Sequence, residues 1–258
     1  MSIPKIIHYC WFGPKAIPEL ELKCMESWKK FFPDYKFMFW NEKTFDINET
    51  SFIQQAYEAK HYAFVSDYVR TKVLYEYGGL YLDTDVEILQ SFETVLNKGI
   101  SFLGFENRSR IGTAIMGFTA KHQLMNEFIG YYLKNDFKNS KGEINITANV
   151  EILTNLLIRK GLISNGSNQI INNIEVFSRE YFYPKKISVT EFRLTTKTIA
   201  VHKFSCSWLT ERQRKRGNNK IWINIMRPLL RFFRDLGLNA LGAERIQKIE
   251  IKIRNILK

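Results

Sequence analysis

Apolar positions follow two rhythms along this chain, and each predicts a different element. "KIIHYCWFG" (5–13) is dense in β-formers and closes at Gly13-Pro14, so it predicts a first strand. Residues 18–31 put Leu22, Met25 and Trp28, with Phe32 just beyond, near helical spacing. "YKFMFW" (35–40) predicts a second strand, and residues 51–77 predict a mostly helical stretch stopped by Gly78-Gly79. "LYL" and "VEIL" predict short strands on either side of "DTD", and "ISFLGF" (100–105) and "GTAIMGF" (112–118) two more. Helices at 121–134 and 147–160 follow, then short strands around 169–176, 181–183 and 198–202, with helix from 219 to the end. Strand and helix alternate through the first half, which predicts an α/β fold: a mostly parallel sheet with helices on both faces. Ligands of such sheets bind beyond the carboxyl ends of the strands.

Composition narrows this picture modestly. Of 258 residues, 45% are hydrophobic and 14% aromatic, enough for a sizeable core and far from a disordered composition. No apolar run reaches the length of a membrane span, and "MSIPKIIHYCWFG" lacks the basic-then-apolar layout of a signal peptide. Cys10, Cys24 and Cys206 are odd in number and scattered, against a disulfide framework or thiolate metal site. The expected location is the cytoplasm.

Charge divides the chain. Residues 202–258 hold 14 Lys+Arg against 4 Asp+Glu, so most of the net +12 lies there. In "KIWINIMRPLLRFFRDLGL", Ile225, Leu229, Phe232, Phe233 and Leu236 share one helical face while Arg227, Arg231 and Arg234 share another, with Pro228 as an interruption. A basic amphipathic helix suits an anionic membrane surface; packing on the body or on a second copy in a homodimer is the alternative. Aromatics are not interleaved with Lys/Arg as a nucleic-acid platform needs, so no nucleic-acid partner is expected. The expected division is 1–210 for a main domain and 211–258 for a helical basic extension, peripheral on the inner face of the plasma membrane.

The chemistry concentrates in "GLYLDTDVE" (79–87). In an extended segment, residues i and i+2 face the same side, so Asp83 and Asp85 are expected to meet at one site. Two carboxylates so close repel unless they share a proton or a cation, and hard oxygen ligands suit Mg²⁺ or Mn²⁺. A polar turn between two strands is the plain alternative. In the helix before them, "AFVSDYVRTKVLYEYGG" sets Ser66, Asp67 and Arg70 on one face, where an ordinary surface pair is the plain reading.

Together "IPKIIHYCWFG", "AFVSDYVRTKVLYEYGGLYLDTDVE" and "HKFSCSW" resemble the pattern of glycosyltransferase family 32, over roughly residues 3–208. That group of DxD sugar transferases includes fungal mannosyltransferases, bacterial capsular polysaccharide enzymes and, more distantly, the glucosylating domains of large clostridial toxins. The resemblance implies a GT-A-like fold with a Rossmann-type nucleotide-binding half, a retaining transfer and Mn²⁺ or Mg²⁺ as cofactor. It implies that Trp11 stacks on the nucleobase. Ser66, Asp67, Arg70 and Asp83 would contact the ribose, sugar or phosphate of the donor, and Ser207 and Trp208 would close over the diphosphate. Asp85 would hold the metal with Asp83 and His202, and Asp83, Asp85 and Arg70 would be the catalytic group. Many members carry a second histidine where this chain has Lys203, and "NITANVEILT" (145–154) only loosely echoes the family's acceptor-side segment. The implied partners are a nucleotide sugar (a UDP-hexose such as UDP-galactose or UDP-glucose, then GDP-mannose) and a glycan or lipid-linked oligosaccharide acceptor.

Two other classes compete. A phosphotransferase of the haloacid dehalogenase type would use Asp83 as nucleophile, but needs a later acidic pair, and only Asp136 and Asp235 remain among later aspartates. A non-catalytic membrane-binding module would need only the basic tail.

Overall fold

The computed structural model of the protein describes residues 2–96, 99–140, 142–187 and 191–205. Its first strand, β1 (Ile6–Cys10), is followed by α1 (Glu19–Phe31), β2 (Lys36–Trp40), α2 (Ser51–Glu58) and α3 (Tyr62–Tyr77). Then come β3 (Gly79–Leu82), β4 (Val86–Ile88), the single-turn α4 (Glu93–Leu96), β5 (Ser101–Phe105) and β6 (Ile111–Phe118). Helices α5 (Gln123–Lys134) and α6 (Asn149–Ile158), the hairpin β7 (Gln169–Ile171) and β8 (Ile174–Phe177), and β9 (Ala200–His202) complete the described part. Seven strands form one sheet in the order β2-β1-β3-β6-β5-β8-β7, and β4 pairs separately with β9. Of the seven, only β6 and β7 run against the rest, so the mostly parallel α/β architecture expected from the pattern is present.

One buried cluster joins a face of the sheet to α2, α3, α5 and α6, through Phe52, Val69, Leu74, Phe128 and Leu153 among others. The opposite face carries α1 and α4, with Trp28, Phe92, Phe182 and Tyr183. Trp28 also donates its indole N–H to the Val86 carbonyl at 2.7 Å, so α1 braces β4, the strand that leaves the aspartates.

Gly78 and Gly79 are dictated by both dihedral and space. Their φ values are +65° and +101°, which L side chains rarely adopt. A Cβ on Gly78 would lie 2.6 Å from the Ala120 backbone nitrogen, and one on Gly79 the same distance from the Ile6 carbonyl. Here α3 ends with the Gly78 N–H on the Leu74 carbonyl, and the chain passes at once into β3, sending Asp83 to its carboxyl end. His8 locks the same corner: its Nε2 lies 2.8 Å from the Gly78 carbonyl, while its Nδ1 accepts from the Trp40 indole at 3.1 Å.

Three expectations need correction. The mostly helical stretch expected over 51–77 is two separate helices: Lys60, at φ +60°, breaks the helix between them, and His61 stands at the N-cap position of the second without a side-chain cap. Residues 181–183 form a turn rather than a strand: the Tyr181 N–H bonds the Ser178 carbonyl and the Tyr183 N–H the Arg179 carbonyl, which leaves Phe182 and Tyr183 buried over the sheet. Asp83 to Asp85 is not extended: the Val86 N–H bonds the Asp83 carbonyl at 3.0 Å, which closes a tight turn. The helix expected from 219, with Ser207 and Trp208, falls outside the described residues.

Candidate active site

The carboxyl ends of β1, β3 and β5 lie at one edge of the sheet, because these strands run in the same direction. Asp83 follows β3 and extends its ladder, its N–H bonding the Ala114 carbonyl on β6 at 2.8 Å. The turn then brings Asp85 back beside it. Pairing of β4 with β9 sets Val86 opposite His202, which carries the imidazole to the same place from more than a hundred residues away. Potential ligand atoms of Asp83, Asp85 and His202 all lie within 4.8 Å of one another.

Asp85 is the most firmly held of the three. Its Oδ1 is 3.2 Å from His202 Nε2, its Oδ2 accepts from the Ser205 N–H at 2.8 Å, and its carbonyl accepts from the Lys203 N–H at 3.0 Å. Burial alone would raise this carboxyl, but His202 and Ser205 outweigh it and hold it down at about 2, so Asp85 is ionised. Burial likewise opposes charge on His202, and Asp85 outweighs it to raise the imidazole above its ordinary value. The Nδ1 of His202 is buried with no hydrogen-bond partner among the described residues. Two carboxylates plus an imidazole form a hard, oxygen-rich set that fits Mn²⁺ or Mg²⁺, with the nitrogen favouring Mn²⁺. Lys203, in place of the second histidine of the resembled pattern, turns its ammonium to Glu87 and over the Phe192 ring.

Arg70 is the hub of the other half. It projects from α3 into the sheet edge, 6% exposed. One guanidinium nitrogen reaches Asp83 at 3.2 Å and the Thr113 carbonyl at 3.0 Å, and another reaches Asp67 at 3.1 Å. The guanidinium carbon stacks 4.6 Å from the centre of the Tyr81 ring. Burial would weaken the cation, but Asp83 and Asp67 hold it charged. Burial pushes the Asp67 carboxyl up to about 7, with Arg70 restraining the rise. The helix-surface pair of the plain reading is therefore a buried network that ends on a DxD aspartate.

Ser66 donates its hydroxyl back to the Tyr62 carbonyl and accepts from Arg70 Nε on its own carbonyl, at 3.2 and 3.3 Å. Trp11 lies just past β1 at the same edge, its backbone N–H on the Trp40 carbonyl and its indole N–H on the Lys15 carbonyl. The next loop residue to be fixed is Gly13, whose N–H meets Glu42 at 2.6 Å.

Several residues here were absent from the sequence reading. Asn149 opens α6 and donates to Asp67 at 2.5 Å, which orients that carboxylate. Tyr81 donates to Asp83 at 3.0 Å, and its place two residues ahead of Asp83 on the same strand was the available signal. Ser205 bridges two acids, its N–H on Asp85 and its hydroxyl on the buried Glu21 at 2.8 Å. Glu106, just past β5, is raised by burial, against which His202, Arg110 and Arg179 pull. Nothing local in "ENRSR" marks it.

Residues 18–101 match the family model described as a glycosyltransferase sugar-binding region containing a DXD motif. Inositol phosphoceramide mannosyltransferase 3 of Schizosaccharomyces pombe is 30% identical over 48% of this chain and 35% of its own length. A mannosyl phosphorylinositol ceramide synthase of Saccharomyces cerevisiae is 27% identical over 46% of this chain and 32% of its own. The chain thus spans about a third of these two fungal relatives. It aligns with 73% of an uncharacterized glycosyltransferase of Acanthamoeba polyphaga mimivirus, at 25% identity over 70% of its own length. Among solved structures, the PaToxG glycosyltransferase superposes with a TM-score of 0.51 at 19% identity, covering 62% of this chain and 70% of that one. That likeness carries the fold alone, an α/β fold of the GT-A-like kind.

Proposed function

We propose that this protein is a metal-dependent, retaining glycosyltransferase that moves a hexose from a nucleotide sugar to a glycan or lipid-linked saccharide of a surface polysaccharide. The observation that carries the reading is the convergence of Asp83, Asp85 and His202 with Arg70 at the carboxyl edge of a sheet whose DXD region matches a sugar-transferase model. Asp83, Asp85 and His202 are the residues that would hold a divalent cation. When bound, such a cation supplies positive charge against a departing nucleoside diphosphate.

The chain's own groups define the rest. Arg70 presents a fixed, buried positive charge beside Asp83, so no reorganisation is needed where negative charge develops. Asp67, oriented by Asn149 and Arg70, offers an acceptor to a sugar or ribose hydroxyl. Trp11, half-buried on the flank of β3 away from β5, is the residue assigned to stack on the base, and its half-exposure supports that assignment. Ser207 and Trp208 are assigned to the diphosphate by the sequence pattern alone. UDP-glucose and UDP-galactose lead the candidate donors, and the names of the two fungal relatives add weight to GDP-mannose.

Among the described residues no helix is long and apolar enough to cross a membrane. The basic segment 211–258 is proposed as a membrane-surface contact that brings the enzyme to its acceptor. The test of the reading is a thermal-shift and hydrolysis screen of UDP- and GDP-sugars with Mn²⁺ and with EDTA. Metal-dependent stabilisation by one donor, with release of its nucleoside diphosphate, is the expected result. Silence toward every nucleotide sugar would remove the transferase reading, and phosphate release from a generic phosphoester would restore the phosphotransferase.

A further inference from the structure

Glu106 is a half-buried carboxylate at the site edge that takes no hydrogen bond or ion pair among the described residues. Its position follows from the strand that delivers it. Gly104 and Glu106, two residues apart, project from the same face of β5. That face is the one covered by Phe182 and Tyr183: a Cβ on Gly104 would meet the Phe182 ring at 2.6 Å, and one on its cross-strand partner Gly112 the Tyr183 ring at 2.4 Å. Tyr183 in turn stands edge-on to His202, ring centres 5.9 Å apart, and the His202 N–H approaches the Phe182 carbonyl at 3.3 Å. One step beyond Gly104 toward the open end of the sheet, the Glu106 side chain emerges beside His202. The charges it faces are His202, Arg110, Arg179 and Asp83. None of them engages it, and Arg179 instead places its Nε on the Tyr183 carbonyl at 3.1 Å.

A carboxylate that gives up part of its hydration without a fixed partner costs stability, and such groups persist where a ligand brings the missing donor. Glu106 is not part of the ligand cluster formed by Asp83, Asp85 and His202. Its negative charge repels a diphosphate, so the ligand it suits is an uncharged hydroxyl donor. Sheet order supplies the side: β1 with Trp11 lies on one flank of β3, and β5 with Glu106 lies beyond β6 on the other. Resting on the transferase reading above, we propose that Glu106 is an acceptor-binding residue, its carboxylate taking the hydrogen bond of a hydroxyl on a hexopyranoside acceptor.

The test uses the full chain and its Glu106→Gln variant. Nucleoside diphosphate release from UDP-glucose, UDP-galactose and GDP-mannose is measured with Mn²⁺, alone and with the methyl α- and β-glycosides of glucose, galactose and mannose. The wild type should release diphosphate faster with at least one methyl glycoside than with water as acceptor. In Glu106→Gln that acceleration should fall about ten- to hundredfold, the worth of a hydrogen bond to a charged group. Metal-dependent thermal stabilisation by the donor should persist in the variant. Equal acceleration in both proteins overturns the proposal. So does loss of donor stabilisation in the variant, which would move Glu106 to the donor side, or a wild type that no methyl glycoside accelerates. A wild type with no metal-dependent donor turnover at all would instead sink the transferase reading.

Discussion

His8 should tie the stability of the whole sheet edge to pH. It is fully buried between Trp40 and Tyr77, with ring centres at 6.0 and 5.9 Å. Because Nδ1 accepts from Trp40, the proton sits on Nε2, where it donates to the Gly78 carbonyl; a second proton would meet an N–H donor. Burial therefore lowers this imidazole from its ordinary 6.5 to about 4, the Gly78 hydrogen bond opposing the fall. The unfolded chain takes up a proton near pH 6.5 and the folded one only near pH 4, so stability is complete above pH 7 and declines as pH falls through that window. The full gap corresponds to about 3 kcal/mol, of which about 2 kcal/mol is lost between pH 7 and pH 5. Urea unfolding followed by circular dichroism from pH 4.5 to 8, on wild type and His8→Gln, isolates the effect. Glutamine loses some packing but cannot titrate, and other titrations, including that of Asp67, cancel in the difference. The stability advantage of wild type over His8→Gln should therefore shrink by about 2 kcal/mol between pH 7 and pH 5. A difference independent of pH would refute the reasoning.

Four further outcomes are expected. Asp85→Asn should abolish Mn²⁺-dependent stabilisation by the donor while circular dichroism stays native; full activity in that variant would remove the metal role assigned to Asp85. Asn149→Ala should cut donor turnover by about tenfold, since it frees a buried carboxylate from one orienting hydrogen bond; kinetics identical to wild type would return Asn149 to a helix-start role. Gly78→Ala should destabilise the fold by about 2–4 kcal/mol, from a left-handed alanine whose Cβ presses on the Ala120 backbone, as read by urea midpoints. Replacing Arg227, Arg231 and Arg234 by glutamine should weaken partition onto anionic liposomes without changing turnover of a soluble acceptor, and unchanged partition would leave the tail to another partner.

Part of the site was open to reading because its signals are local. Gly78-Gly79 marks the end of α3, the apolar "LYL" marks a buried strand, and "DTD" right after it places two acids at that strand's end. A turn closed by the Val86 N–H, not alternation along an extended segment, sets Asp85 beside Asp83. The break between α2 and α3 had no such signal, because "AKHYA" contains neither glycine nor proline; Lys60 takes the left-handed conformation in a local helix end, its N–H on the Tyr57 carbonyl and the His61 N–H on the Ala56 carbonyl, each at 2.9 Å. "YFYP" at 181–184 reads as a strand by propensity, yet its aromatic rings are spent covering Gly104 and Gly112.

What the amino-acid order determined by itself is the α/β alternation, the glycine corner and the acids that follow it, since each depends on spacing within a few residues. Only the tertiary structure decided that Arg70 is buried against Asp83 rather than paired on a surface, and that His202 and Ser205 return to hold Asp85. The same holds for Asn149, delivered to Asp67 by α6. These contacts join residues from 13 to 120 positions apart, and strand pairing and helix packing create them. No pattern within one segment can carry that information.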